Sequence, residues 1–236
     1  MNYIKFFERI EMKYLISYEK YIQLRRCIDG KYMLPDEYGL TTICNIYYDT
    51  ENYELIRASI GNHNYKEKLR LRCYGIPENN SSSFIEIKKK YNGIVYKRRT
   101  ELKYCEAINY LNNNVCPESH EQIFNEIDYF MSHYKPVPKI FIAYDRIAMY
   151  GVENKDFRIT FDFNIRSRDN DLSLLNGSDG KYLFDNNNVI MEIKTTQAMP
   201  IWITKLLSEM KIYPTSFSKY GTIYKNKIKE NKLTYV

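Results

Sequence analysis

Hydrophobic and polar positions alternate with a period of two through much of the chain. The alternation keeps separating charged from apolar side chains. In the segment 66–74, Leu69, Leu71 and Cys73 take one face, and Lys66, Lys68, Arg70 and Arg72 take the other. In 158–166, Ile159, Phe161, Phe163 and Ile165 oppose Arg158, Thr160, Asp162, Asn164 and Arg166. In 189–194, Val189, Met191 and Ile193 oppose a face that ends in Glu192 and Lys194. At the start, Ile10, Met12 and Tyr14 oppose Arg9, Glu11 and Lys13. Successive side chains of a strand point to opposite faces, so each segment predicts a strand with one apolar and one charged side. The stretch "FIEIKKKYNGIVYKRRTEL" (84–102) predicts a hairpin turning at Asn92-Gly93, a dipeptide that tolerates positive φ. Further strands are expected at 41–48 and 140–149.

Helices fall between these strands. Ser17 offers an N-cap for a helix over 18–28, stopped by Asp29-Gly30. Thr50 can cap a short helix over 51–58. The stretch 103–134 predicts two helices broken near 112–117, and another helix lies near 200–210. Polar loops are expected at 78–83 and 169–188, and "SFSKY" sits in a terminal segment with no helix assigned. There is no fixed-period repeat and no Gly/Ser-rich linker. The expectation is one α+β domain over residues 1–236.

At least five strands share an organised, mostly positive face, with single glutamates at Glu11, Glu86 and Glu192. One reading is an antiparallel sheet with a wet side. An exposed face, however, mixes uncharged polar residues with both signs of charge, whereas Lys68, Arg70 and Arg72 stand side by side with no acid between them. The other reading is a closed antiparallel β-barrel with its charged face inward and its apolar face under helices. Like charges ~4 Å apart repel by about 4 kcal/mol at an effective dielectric near 20. Such an interior persists only if an anion or solvent offsets the repulsion. A chain of phosphates fits best: arginine supplies planar forks and lysine supplies point charges. The glutamates then make sense as ligands for Mg²⁺ or Mn²⁺ bridging the phosphates.

Composition adds bounds. The chain has 236 residues and a net charge of +6, which mildly favours an acidic partner without naming one. No apolar run is long enough to span a bilayer and no signal-peptide pattern opens the chain, so a cytoplasmic protein is expected. The cysteines, Cys27, Cys44, Cys73, Cys105 and Cys116, lack a C-x-x-C spacing and are expected to be reduced. His63, His120 and His133 are scattered, which argues against zinc. Nucleic acid is not an expected partner, because no aromatic ladder accompanies the cations. No Ser/His/Asp triad or Gly-rich phosphate loop is present. Tyr47 and Tyr144 read as packing residues, and Lys89, opposite in parity to Lys88 and Lys90, as solvated.

The stretches "RIEMKYLIS", "YYDT", "KLRLRCYG", "FIEIKKK", "YKRR", "AYDRIAMYG", "RITFDFNIR", "VIMEIKT" and "SFSKYG" cover nearly the whole chain. In this order they resemble the VTC-type polyphosphate polymerase domain of the triphosphate tunnel metalloenzyme (CYTH-like) superfamily. The resemblance implies a β-tunnel that grips a triphosphate and a divalent metal. It implies phosphate-holding roles for Lys13, Arg70, Arg72, Lys88, Arg146 and Arg158, joined by Lys194 and by one basic residue of "YKRR", for which Lys97 is the candidate. Arg70, Arg72, Lys88 and Lys219 would be the catalytic set. Ser218 and Lys219 would close on the phosphates. Glu192 would bind Mn²⁺ or Mg²⁺, with Glu11 and Glu86 as further acidic candidates.

The implied reaction is transfer of the ATP γ-phosphate to a growing inorganic polyphosphate chain, releasing ADP. A hydrolase on the same tunnel and a non-catalytic polyanion binder are the alternatives. Two departures stand out. The CYTH branch carries Glu-x-Glu-x-Lys on the first strand, and here the first Glu position is Arg9. Where eukaryotic relatives tend to have another lysine before "FSK", this chain has Ser216. No SPX or transmembrane region is expected.

Overall fold

The structure is a computed structural model and describes residues 10–61, 63–92, 94–113, 115, 117, 122–184 and 187–230. Arg9, Gly93, Cys116 and His120, singled out above, lie outside the described residues. In chain order the elements are β1 (Ile10–Ser17), α1 (Tyr18–Ile28), β2 (Met33–Asp49), α2 (Glu54–Ile60), β3 (Tyr65–Tyr74), β4 (Ser82–Tyr91), β5 (Ile94–Lys103), α3 (Tyr104–Asn113), α4 (Gln122–Tyr134), β6 (Val137–Gly151), β7 (Arg158–Arg168), β8 (Lys181–Tyr182), β9 (Asn188–Thr195), α5 (Ile201–Glu209) and α6 (Lys219–Lys229).

The strands follow the order β1-β9-β7-β6-β2-β3-β4-β5, with β8 added on β7. The pairs β1–β9, β7–β9, β2–β3, β3–β4 and β4–β5 are antiparallel. The fold is α+β with a large antiparallel sheet. The expected closure into a barrel is corrected: β1 and β5 end the order, and no pairing joins them among the described residues. The composition of β5 gives the reason. Residues 94–99 are all exposed and include Lys97, Arg98 and Arg99. A charged strand of this kind discourages further pairing at a sheet edge.

By packing, the chain divides into two compact units. The first comprises residues 1–41, 144–165 and 184–217, and the second 42–143, 166–183 and 218–236. Each has its own core. In the first, Tyr21, Leu24 and Ile28 of α1 and Ile203 and Leu207 of α5 cluster with Tyr14, Ile16, Ile159, Phe161, Met191 and Ile193. In the second, residues of α3 and α4, among them Tyr110, Phe124, Ile127 and Phe130, cover Leu69, Leu71, Cys73, Ile85 and Ile87. The apolar strand faces predicted from parity are thus the ones under helices.

Local signals were followed closely at some elements and overridden at others. Ser17 caps α1, accepting the Lys20 amide at 3.2 Å. The short helix begins later than expected, because Asp49 takes over the capping. Its carboxylate accepts the amides of Leu55 at 2.9 Å and Ile56 at 3.0 Å, while Thr50 Oγ1 accepts that of Glu54. Helix α6 had no counterpart in the sequence expectations. Its buried stripe is Tyr220, Ile223 and Tyr224, too short a periodic signal among lysines and asparagines to stand out. Gly221 is needed on that helix: a Cβ there would sit 3.1 Å from the Ile60 Cγ2 of α2.

Candidate functional site

In the second unit, strand register assembles the charged face into cross-strand rows. Directly opposed residues share a face of the sheet. One row is Tyr47, Arg70, Glu86 and Arg99; the next is Asn45, Arg72, Phe84 and Glu101. Between β3, β4 and β5 runs a row of three like charges, Lys68, Lys88 and Lys97. Directly opposed like charges destabilise a sheet, so this row has a cost in the protein alone.

Glu86 organises the cluster. Its side chain is 2% exposed. The Arg70 guanidinium engages Oε2 with two nitrogens, Nε donating at 2.6 Å. Arg72 Nη1 lies 3.6 Å and Lys97 Nζ 3.4 Å from Oε1, which makes no hydrogen bond in the structure. Burial alone would raise the Glu86 pKa, but Arg70, Arg72 and Lys97 outweigh it and hold the carboxyl down to about 2. The acid missing from the cationic face of β3 is thus supplied from β4.

The register also sorts "YKRR". Lys97 and Arg99 share the face of Lys88 and Glu86, while Arg98 has the opposite parity and pairs with Glu126 of α4. Lys89 belongs to that helix-covered side and is corrected from solvated to paired. Its Nζ is 3.8 Å from Glu67 and 3.5 Å from Glu126. Glu67, 5% exposed, also hydrogen-bonds with Tyr65 and Tyr134.

Three polar residues of β2 and its end were not anticipated as site residues. Tyr47 is corrected from packing to a hydrogen-bonded position: its hydroxyl accepts from Arg70 Nη1 at 3.0 Å. Burial pushes its phenol up, and Arg70, Arg72 and Lys68 pull it down further, to about 7. Asn45, fully buried, accepts from Arg72 Nε at 2.9 Å and donates to the Ile142 carbonyl at 3.0 Å. Asp49, besides capping α2, accepts from the Tyr220 hydroxyl of α6 at 2.9 Å. Parity would have revealed the first two, because Asn45 and Tyr47 alternate with the core residues Cys44, Ile46 and Tyr48.

Ser218 caps α6, accepting the Gly221 amide at 3.2 Å, and also accepts from Lys68 Nζ at 3.2 Å. Capping and the contact with Lys68 therefore coexist on one hydroxyl. Lys219 is the first residue of α6 and is half-buried. Its amide belongs to the helix end whose unpaired N–H groups and dipole favour anions.

The first unit builds its own charged face. Glu11, Lys194 and Arg158 form one row, and Lys13, Glu192 and Thr160 the next. Glu192 is 8% exposed, and Lys194 Nζ lies 2.9 Å from its Oε1. Burial would raise the Glu192 pKa; Lys194, Lys13 and Arg146 bring it to about 2 instead. Lys13 Nζ donates to the Phe217 carbonyl at 3.1 Å, tying β1 to the "SFSKY" segment. Arg146 makes a fork with the fully buried Asp162, donating from Nε at 2.6 Å and from Nη2 at 2.8 Å. Arg158 and Glu11 are exposed.

Among the described residues no group of three or more His, Cys, Asp or Glu side chains is placed to hold a metal. Glu11 and Glu192 are diagonal neighbours on one face of β1 and β9. One or two carboxylates are what Mg²⁺ sites ordinarily take from a protein when phosphate oxygens and water complete the shell, so this donor set fits. No helix is long and apolar enough to cross a membrane among the described residues.

Solved structures share the fold. A candidate adenylate cyclase of Bacillus halodurans aligns with a TM-score of 0.56 and 16% identity, covering 89% of this chain and 93% of that one. A candidate adenylyl cyclase of Hippeastrum, described as having a dominant triphosphatase activity, aligns with a TM-score of 0.54 and 16% identity over 96% of this chain and 97% of that one. No curated protein gives a significant match. The family model of the VTC domain matches residues 8–226, a stretch that holds both charged faces and the segment linking Lys13 to Phe217. On that match the chain belongs to the VTC domain family.

Proposed function

We propose that this VTC domain is a metal-dependent polyphosphate polymerase, transferring the γ-phosphate of ATP to a growing inorganic polyphosphate chain and releasing ADP. The observation that carries this reading is the row Lys68, Lys88 and Lys97 beside the arginines held by Glu86. An arrangement of like charges that costs stability alone suits a polyanion that offsets it.

In this reading Arg70 and Arg72 hold phosphoryl oxygens in a fixed orientation, because Glu86, Tyr47 and Asn45 hold both guanidiniums. Lys88, Lys97 and Lys219 add charge where negative charge develops in the transition state. Ser218 fixes Lys68 and the start of α6. Lys13, Lys194, Arg146 and Arg158 are the phosphate-binding cations of the first unit. Glu192, with Glu11, would hold Mn²⁺ or Mg²⁺, which when bound neutralises phosphate oxygens. Glu86, the third acidic candidate, is engaged by three cations, which suits it to orienting arginines. The attacking oxygen of a polyphosphate end is already ionised, so no general base is required.

The test is incubation of purified protein with ATP and Mn²⁺, with products resolved on a gel. Long chains and ADP are expected. ADP with orthophosphate alone overturns the polymerase reading in favour of hydrolysis, the reading favoured by the fold shared with the Hippeastrum triphosphatase. Arg70→Ala should abolish turnover while the fold survives, and a folded variant that still polymerises would remove Arg70 from the site. RNA competing as well as polyphosphate, without turnover, would indicate a polyanion-binding module.

A further inference from the structure

Arg70 is held from two sides. Glu86 takes its Nε and Nη2 from β4, and Tyr47 takes its Nη1 from β2 at 3.0 Å. Glu86 is acidic, whereas Tyr47 is ordinarily a neutral phenol, buried to 8% exposure with its ring 5.8 Å from the Arg70 guanidinium carbon. The groups that face it are strongly one-sided. From β3 come Lys68, Arg70 and Arg72, and from β4 comes the carboxylate of Glu86. From α6 comes the Tyr220 ring, 5.3 Å away, with its hydroxyl committed to Asp49. On β6 the charged side chain within this unit is Lys139, tied to Glu51 at 2.8 Å. Among the described residues, the Tyr47 oxygen is placed against Arg70 where added negative charge offsets part of that excess.

We propose that Tyr47 is a positioning residue of the phosphate site that holds Arg70 as a phenolate and takes up one proton from solvent when a phosphate chain binds. The chemistry balances as phenolate plus proton giving phenol, with no bond formed to the ligand. Before binding, the phenolate partly neutralises the cations around it. A bound polyanion supplies that charge itself, and two anionic partners on one face of Arg70 then repel. Protonation removes the repulsion and leaves the hydroxyl as a neutral acceptor for Arg70 Nη1. The pull of Arg70, Arg72 and Lys68, which brings the phenol to about 7 against the rise due to burial, agrees with this charge count. Because bound anion favours the protonated form, affinity falls as pH rises past that value.

The proposal rests on the reading of this cluster as a phosphate grip, and the experiment separates the two. The intact protein and Tyr47→Phe are titrated with inorganic tripolyphosphate by calorimetry. Two buffers of different ionisation enthalpy are used at about pH 6 and about pH 8.5, either side of the phenol's value. At the higher pH the native protein should take up as much as one proton more than the variant. The ratio of native to variant affinity should fall by as much as about tenfold per pH unit. Independently of the variant, the native protein should show a tyrosinate absorption band at the higher pH that tripolyphosphate abolishes. Binding with equal proton uptake and no such band overturns the proposal alone. No binding by the native protein at either pH overturns the phosphate grip and this proposal with it.

Discussion

At the residue scale, two of the buried glutamates, Glu86 and Glu192, behave as fixed counter-anions. Glu86 and Glu192 both have carboxyl groups held to about 2, against an ordinary value of 4.5, because neighbouring cations outweigh the effect of burial. A depressed carboxyl contributes stability that is present above the ordinary value and lost as pH falls through the folded one. Acid unfolding should therefore steepen between about pH 4.5 and about pH 2. Glu86→Gln and Glu192→Gln should each flatten the profile in that window. At neutral pH, Glu86→Gln leaves Arg70, Arg72 and Lys97 without their shared carboxylate and should cost roughly 3 kcal/mol in denaturant unfolding. Lys88→Ala should behave oppositely. Removing the middle charge of the lysine row stabilises the fold by about 0.5 kcal/mol. The same change weakens tripolyphosphate by at least about tenfold, the loss of one charge-assisted contact. A variant that binds as well as the native protein would take Lys88 out of the site.

At the element scale, α6 and the β4–β5 hairpin position the cluster of the second unit. Ser218→Ala removes the acceptor for both the Gly221 amide and Lys68, and should lower stability by about 1 kcal/mol, read by thermal unfolding. Gly221→Ala should be worse than the usual gain from alanine in a helix. The added methyl meets the Ile60 Cγ2 at 3.1 Å and must shift α6 against α2. The hairpin is held from its other face by Lys89 and Arg98, which meet Glu67 and Glu126. The period-two pattern predicted which residues of this hairpin share a face. It left open which cations of "YKRR" lie beside Glu86 and Lys88, because a run of three cations has the same charge on both parities. The pairing of Glu86 with Arg99 and of Lys88 with Lys97 puts Lys97 and Arg99 on that face.

At the scale of the whole molecule, a net charge of +6 and two cationic faces predict a polyanion affinity that falls with ionic strength. Tripolyphosphate and longer chains should raise the unfolding temperature, more at low salt than at high salt, as any ligand that binds the folded state does. An equal effect from sulfate at the same ionic strength would indicate general screening rather than a chain-binding site.

The alternation of residues determined the strands, their two faces and the set of cations and acids available. That information is local, because parity along a strand is fixed by the backbone alone. The VTC motifs determined the family. Only the tertiary structure decided that the sheet order leaves β1 and β5 as ends, and that Glu86 belongs to Arg70 and Arg72. It also decided that Lys89 is paired on the helix-covered side and that Tyr47 is a partner of Arg70. Each of these depends on which strand lies beside which, and at what register. Contacts between residues far apart in sequence fix that choice, and no short window of sequence contains them.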